Sequence, residues 1–206
     1  MSQVQNPEPL RSRQVEPLGA RLPDGTTVTL RPLLHGETAP LLGVFDGMSM
    51  VSRWMRYLSG LPRLSPGMLS GLTDVDGDHH VAWLASLDDE PAGIARYVRL
   101  RDRPTTAELA FEVVDRLQHH GLGTVLLDTI TTVAAARGIR QVQATLAPSN
   151  TASRRLLARI GATTRHVDGL LEAQGPLRLL DPPAVDRPAL LRLLCAGSWD
   201  AALDIG

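Results

Sequence analysis

The sequence predicts an α+β domain: a mixed, mostly antiparallel sheet flanked by helices, followed by a short C-terminal helical tail. Three observations predict it. Alternating apolar segments cluster as one strand, then three, then one, then two, with helical spacing between the groups, rather than in strict β-α-β alternation. Two of the helical segments end at glycines, Gly138 and Gly161, as helices commonly do. A chain of 206 residues that is 43% apolar and 21% charged has the size and composition of one globular domain.

The elements follow in order. Residues 1–20 are polar and proline-bearing, and read as a loose arm. "LPDGTTVTLRPL" gives an Asp24-Gly25 turn and an alternating strand. Leu41, Leu42, Phe45 and Met48 recur at helical spacing, and "MSMVSRWMRYL" continues as a second short helix. The stretch from Pro62 to Gly77 reads as loop with one further helical patch. "HHVAWLASL" and "PAGIARYVRL" flank Asp88-Asp89-Glu90 as a hairpin, and "TAELAFEVVD" is the next strand. Leu122, Leu126, Ile130 and Val133 share one face of a helix from Gly121 to Arg137. "RQVQATLA" is a strand, "SNTASRRLLARIG" a helix, and "TTRHVDGLLEA" a hairpin about Asp168-Gly169. These segments place the domain at 21–176 and the tail at 177–206. The tail's Leu190, Leu191, Leu194 and Trp199 require cover, from their own domain in a monomer or from a second subunit in a homodimer.

Bulk properties exclude several classes of function. A formal charge of -1 offers no basic footprint for nucleic acid. No apolar run approaches the ~18 residues of a membrane span, and "MSQVQNPEPLRSR" has no apolar leader core. The single Cys195 forbids an internal disulfide, and with the missing leader it points to the cytoplasm. The adjacent pairs His79-His80 and His119-His120 are poorly placed to share a metal, so none is expected.

The segment "RLQHHGLGTVLLDTI" places glycines 121 and 123 where a strand gives way to a helix. Glycine lets a ligand approach bare backbone, and the N–H groups of a first helical turn suit a phosphate. A P-loop would require Gly-Lys-Ser/Thr, where this chain has Gly123-Thr124-Val125. A dinucleotide fingerprint would require glycine at 126, where Leu126 stands. On these residues alone, a plain strand-to-helix turn explains the pattern equally well.

The surroundings carry more. "QHHGLGT" (Gln118 to Thr124), preceded by the strand "AELAFEVV", resembles the Q/R-x-x-G-x-G/A motif of the GNAT N-acetyltransferases. "APSNTAS" (Ala147 to Ser153), followed by "RIGA", is similar to that family's second segment. The order of elements from Thr27 to Ala173 matches as well, and "MSMVSRWMRYL" resembles the actinobacterial protein-acetyltransferase branch. The resemblance implies the GNAT fold and acetyl-CoA as co-substrate. Its pyrophosphate would lie on the amides of Gln118, His119, His120, Gly121, Leu122, Gly123 and Thr124. Its pantetheine arm would pair with the backbone of Val113 and Val114. Asn150 and Ser153 would seat the pantetheine or cap the following helix.

Acetyl transfer to an amine requires a proton acceptor, since an unperturbed lysine of pKa ~10.4 is free amine in only about one molecule in two thousand at neutral pH. Strand alternation places Glu108, Ala110 and Glu112 on one face. The resemblance places the base at Glu108; Glu112 is the second candidate, or a partner that raises the pKa of Glu108. Two departures from the family stand out: Leu157 occupies the place of a frequent tyrosine acid, and His120 that of a common arginine. The expected reaction is general-base-assisted transfer of acetyl to a protein lysine, or less favourably to a small amine. The alternative is a non-catalytic acyl-CoA-binding or scaffold module, kept open by the missing tyrosine.

Overall fold

The structure, a computed structural model, describes residues 17–195. Its centre is one eight-stranded sheet in the order β1-β2-β3-β4-β5-β6-β8-β7. The strands are β1 (Leu18–Arg21), β2 (Thr27–Pro32), β3 (His80–Leu87), β4 (Glu90–Arg99), β5 (Thr106–Val113), β6 (Gln141–Leu146), β7 (Thr163–Val167) and β8 (Leu170–Pro176). Every neighbouring pair is antiparallel except β5 and β6. The helices are α1 (Thr38–Asp46), α2 (Met50–Tyr57), α3 (Pro66–Thr73), α4 (Leu122–Ala136), α5 (Thr151–Ala158) and α6 (Arg187–Cys195). The α+β class and the mostly antiparallel mixed sheet are those the sequence predicts.

Strand alternation divides the core in two. On one face Trp83, Tyr97 and Leu109 pack with Leu122, Leu126, Ile130 and Val133 of α4. On the other, Leu84 and Ile94 pack with Leu41, Val44 and Phe45 of α1. No residue of α2 is fully buried. That helix is held by Arg53, whose guanidinium stacks 4.0 Å over the Phe45 ring while its Nε donates to the Phe45 carbonyl at 3.1 Å.

One boundary differs from expectation. Residues 18–20, assigned to the arm, belong to β1, which pairs with β2 from Leu18↔Leu30 to Arg21↔Thr27. Residues 1–16 lie outside the described residues, as does Trp199 of the tail. Within the tail, Leu190 is fully buried and Leu194 packs partly against the larger core of its own domain. Asp128, a buried carboxylate on α4, fastens the tail. It accepts the amides of Ala184 (2.6 Å) and Val185 (3.1 Å) and an ion pair from Arg187. No helix among the described residues is long and apolar enough to cross a membrane.

Asp128→Ala should leave Arg187 and two amides facing apolar surroundings without their acceptor. Breaking a buried pair of this kind costs about 3 kcal/mol or more. At this domain size the melting midpoint should fall by roughly 10 °C, read by thermal denaturation; an unchanged midpoint would show that the tail is not fastened there.

Candidate active site

The parallel pair β5–β6 is short. It pairs Thr106↔Gln141, Ala107↔Val142 and Glu108↔Gln143, and then the strands part. β5 continues against β4 to Gly93↔Val113, and β6 against β8 to Leu146↔Leu171. At either end of β5, an even-numbered residue pairs toward β4: the Leu100 N–H donates to the Thr106 carbonyl at 2.9 Å, and the Val114 N–H to the Ala92 carbonyl at 3.0 Å. Successive strand residues direct their backbone groups to opposite edges. Leu109, Phe111 and Val113 therefore present theirs to the gap where β6 has turned away.

A cavity of about 800 Å³ occupies that gap, lined by Glu108 to Val113, by Thr145 and Leu146 of β6, and by α2 residues including Val51, Met55 and Tyr57. Of the two backbone positions expected to meet a pantetheine arm, Val113 faces this cavity with an N–H free among the described residues, its carbonyl accepting from Nε2 of Gln118. Val114 does not: it is buried, its N–H is committed to Ala92, and its carbonyl already accepts the Leu117 N–H. Leu109 and Phe111 offer the alternate-residue backbone groups that the sequence reading left out.

One end of the cavity meets the N-terminus of α4. His119 and Gly121 take left-handed backbone (φ 66° and 94°), which turns the chain sharply into the helix. A Cβ on Gly121 would lie 2.5 Å from Cδ of Pro23, so the fold itself demands this glycine. At Gly123 an added Cβ would meet only Cδ2 of Leu156, at an ordinary 3.5 Å. The Gln118 N–H is spent on the Asp115 carbonyl and the Thr124 N–H on the Gly121 carbonyl. Among the described residues, the N–H groups of His119, His120, Gly121, Leu122 and Gly123 donate to no protein acceptor. The Gln118 side chain braces the loop instead, donating to the Val113 carbonyl and Ser52 Oγ, each at 3.1 Å. His120 lies 3.3 Å from the Asp24 carboxylate. The fixed cation beside this turn is Arg159, whose Nη1 donates to Thr124 Oγ1 at 2.9 Å. Asn150 caps α5 by accepting the Ser153 N–H at 3.0 Å, and Asn150 and Ser153 both line the cavity. Leu157 is buried in the core, away from any proton-donor role.

The two candidate carboxylates have different surroundings. Glu108 is exposed, lines the cavity and makes no hydrogen bond or ion pair with a described residue. Glu112 is buried: its Oε2 accepts the Tyr57 hydroxyl at 2.7 Å and lies 3.6 Å from Nε of Arg56, and its Oε1 accepts Nη2 of Arg96 at 3.1 Å. Burial alone would push the Glu112 pKa up, but the charges of Arg56 and Arg96 and the Tyr57 hydrogen bond outweigh it and hold the pKa below the ordinary value. Four residues of strand set the Cα atoms of the two glutamates roughly 13 Å apart. Glu112 is a buried counterion joining α2 to β4 and β5, an association that residues 55 positions apart in sequence give no local signal of. Among the described residues no group of three or more His, Cys, Asp or Glu is placed to hold a metal.

With this geometry in hand, likeness to known proteins becomes specific. The sequence model of the acetyltransferase (GNAT) family matches residues 52–162. The chain is 28% identical over 144 residues to an acetyltransferase of Pseudomonas aeruginosa, covering 68% of this chain and 77% of that protein. It is also 28% identical over 150 residues to acetyltransferase Pat of Mycolicibacterium smegmatis, covering 72% of this chain but only 45% of that protein. Its fold superposes on the crystal structure of the GNAT domain of S. lividans PAT with a TM-score of 0.73 and 27% identity, covering 83% of this chain and all of that domain.

Glu112→Gln should expose how far the buried cluster depends on its carboxylate. Loss of the negative charge that Arg56 and Arg96 share should cost about 3 kcal/mol. Because the native pKa is depressed, this stabilisation is present above the unfolded value of ~4.3 and is lost as pH falls through the native value. Melting curves from pH 7 to 3 should therefore show a shallower acid decline in the variant than in the parent; parallel curves would contradict the assignment.

Proposed function

From the premise that the chain belongs to the GNAT acetyltransferase family, we propose that it transfers the acetyl group of acetyl-CoA to a protein lysine by direct, base-assisted attack. The observation that carries the reading is the gap between β5 and β6, with free backbone groups along one side and a ring of uncommitted amides at its end. Acetyl-CoA has the matching chemistry. Its pyrophosphate suits the amides of residues 119–123, backed by the α4 dipole and by Arg159. Its pantetheine amides suit the edge offered by Leu109, Phe111 and Val113. One of those N–H groups would then meet the oxyanion of the tetrahedral intermediate.

Glu108 is the base in this reading. It is the cavity carboxylate that no described residue neutralises, whereas Glu112 is consumed by its buried partners. The amine gives a proton to Glu108 as its nitrogen attacks the thioester carbonyl, and the tetrahedral intermediate collapses with loss of the CoA thiolate. A thiol of pKa ~8.5 departs as thiolate without obligatory protonation, so Leu157 does not stop the reaction. Tyr57 is no substitute acid: burial and the adjacent Glu112 charge raise its pKa, and its hydroxyl proton is held by Glu112. A protein acceptor, rather than a small amine, is supported by the cavity rim. Val51 of α2 lines the cavity and is 64% exposed, and Met50 and Trp54 of the same helix are 52% and 41% exposed, an apolar surface that a polypeptide covers and a small amine does not. The lone Cys195 suits a cytoplasmic setting.

Two substitutions test the reading. Gly123→Asp has room for its side chain, and an acidic residue in a first helical turn favours the helix. The fold should therefore survive while acetyl-CoA affinity, read by calorimetry, falls by at least tenfold through repulsion of the pyrophosphate; unchanged affinity would remove the ligand from the α4 N-terminus. Glu108→Gln keeps the shape but accepts no proton, so kcat at neutral pH should drop about 10²–10⁴-fold with acetyl-CoA affinity retained. Raising the pH should restore much of the rate as the acceptor arrives already neutral. An undiminished kcat would place the base elsewhere, whereas a parent protein that binds acetyl-CoA but transfers no acetyl would favour the non-catalytic scaffold reading.

A further inference from the structure

The buried cluster on the acceptor side of the cavity does not balance its charge. Arg56 and Arg96 share a single carboxylate, Glu112. Burial and the Glu112 charge raise the Tyr57 pKa, so the phenol remains neutral. Burial and the Arg96 charge lower the pKa of His80, whose Nε2 lies 3.4 Å from Arg96 Nη1, so the imidazole is neutral too. Among the described residues, one positive charge is left unmatched.

Hydrogen bonding assigns that surplus to Arg56. Arg96 has a buried Nε without a hydrogen-bond partner among the described residues, but both its terminal nitrogens are engaged, Nη2 donating to Glu112 and Nη1 to the Leu72 carbonyl at 2.6 Å. The Arg56 Cζ sits over the Tyr57 ring, 4.8 Å from its centroid, and Arg56 Nε lies 3.6 Å from Glu112. That Nε is buried with no hydrogen-bond partner among the described residues, and the Arg56 side chain is only 16% exposed in the cavity wall. A guanidinium that is largely out of water and has donors to spare creates a site for an anion.

We propose that Arg56 is a specificity-determining residue that receives an anionic group of the acceptor, so that the protein favours an amine with a carboxylate close by. The inference rests on the acetyl-transfer reading above and adds the class of acceptor to it. Charge complementarity supports it: the cavity carries the Glu108 carboxylate toward one end of β5 and the surplus guanidinium beside Glu112, about 13 Å along the strand. A lysine beside an aspartate or glutamate presents the opposite pair, its ammonium to Glu108 and its carboxylate to Arg56. The CoA phosphates are drawn to the other group of donors, at residues 119–123.

The test uses two short lysyl peptides that differ only by aspartate or asparagine next to the lysine. The parent protein should acetylate the aspartyl peptide with a KM about tenfold lower, the effect of one charge-assisted hydrogen bond, and with the same kcat. Arg56→Gln should abolish the preference, and Arg56→Lys, which keeps the charge, should retain part of it; melting curves establish that both variants are folded. Calorimetry on the CoA-loaded protein with the same peptides carrying norleucine in place of lysine reads the anion site without any chemistry. Tighter binding of the aspartyl form, lost in Arg56→Gln, supports the site even if no acetyl is transferred, in which case the reaction reading alone fails. Acetylation of both peptides with equal KM, or an aspartyl preference that survives Arg56→Gln, overturns the assignment to Arg56.

Discussion

An eight-stranded sheet in which one interior strand lacks a neighbour for half its length is the constraint on which the rest of this structure depends. β5 leaves β6 after Glu108↔Gln143, so the backbone groups of Leu109, Phe111 and Val113 face a cavity rather than a strand. Unpaired interior backbone is costly unless water or a ligand meets it. The surrounding elements act to keep the gap open. β6 is drawn to β8 over six paired residues, and β5 is held by β4 over seven. Gly93 permits the latter, since a Cβ there would lie 2.8 Å from the Glu112 carbonyl and 2.9 Å from Leu126.

The two ends of the gap are built by different physics. At the C-terminal end of β5, the chain passes through Asp115–Leu117 and two left-handed residues into α4, leaving five amides without acceptors among the described residues. That arrangement is electrostatic, and the β1–β2 turn supports it from beneath through Pro23. On the acceptor face, a helix with no fully buried residue is placed by charge instead. Arg53 stacks on Phe45, and Tyr57 and Arg56 close on Glu112. Glu112 therefore shapes the cavity wall, whereas the Glu108 carboxylate lines the cavity without a partner among the described residues.

What the sequence disclosed depended on how local the signal was. Glycines 121 and 123, the helix after them and the Asn150 cap are short-range features, and the sequence reading found them. Glu108 could be singled out because strand periodicity and the resemblance to the GNAT family agreed on it. The role of Glu112 was not legible, because its partners Tyr57, Arg56 and Arg96 come from two other elements whose register the sequence does not reveal. Val114 was misjudged by one residue, for pairing phase depends on which edge of β5 meets β4. β1 was absorbed into the arm because "LGAR" is four residues long, contains a glycine and pairs only at the sheet edge.

The central claim is that the open edge of β5 receives the pantetheine of acetyl-CoA as a missing strand. Residue-resolved hydrogen exchange of the amides of Leu109, Phe111 and Val113, with and without CoA, tests it most directly. The account predicts that these three exchange faster than Glu108, Ala110 and Glu112 in the free protein. On CoA binding they should become protected while the even-numbered amides change little. Saturating CoA that leaves all three exchanging at their free rates would contradict it.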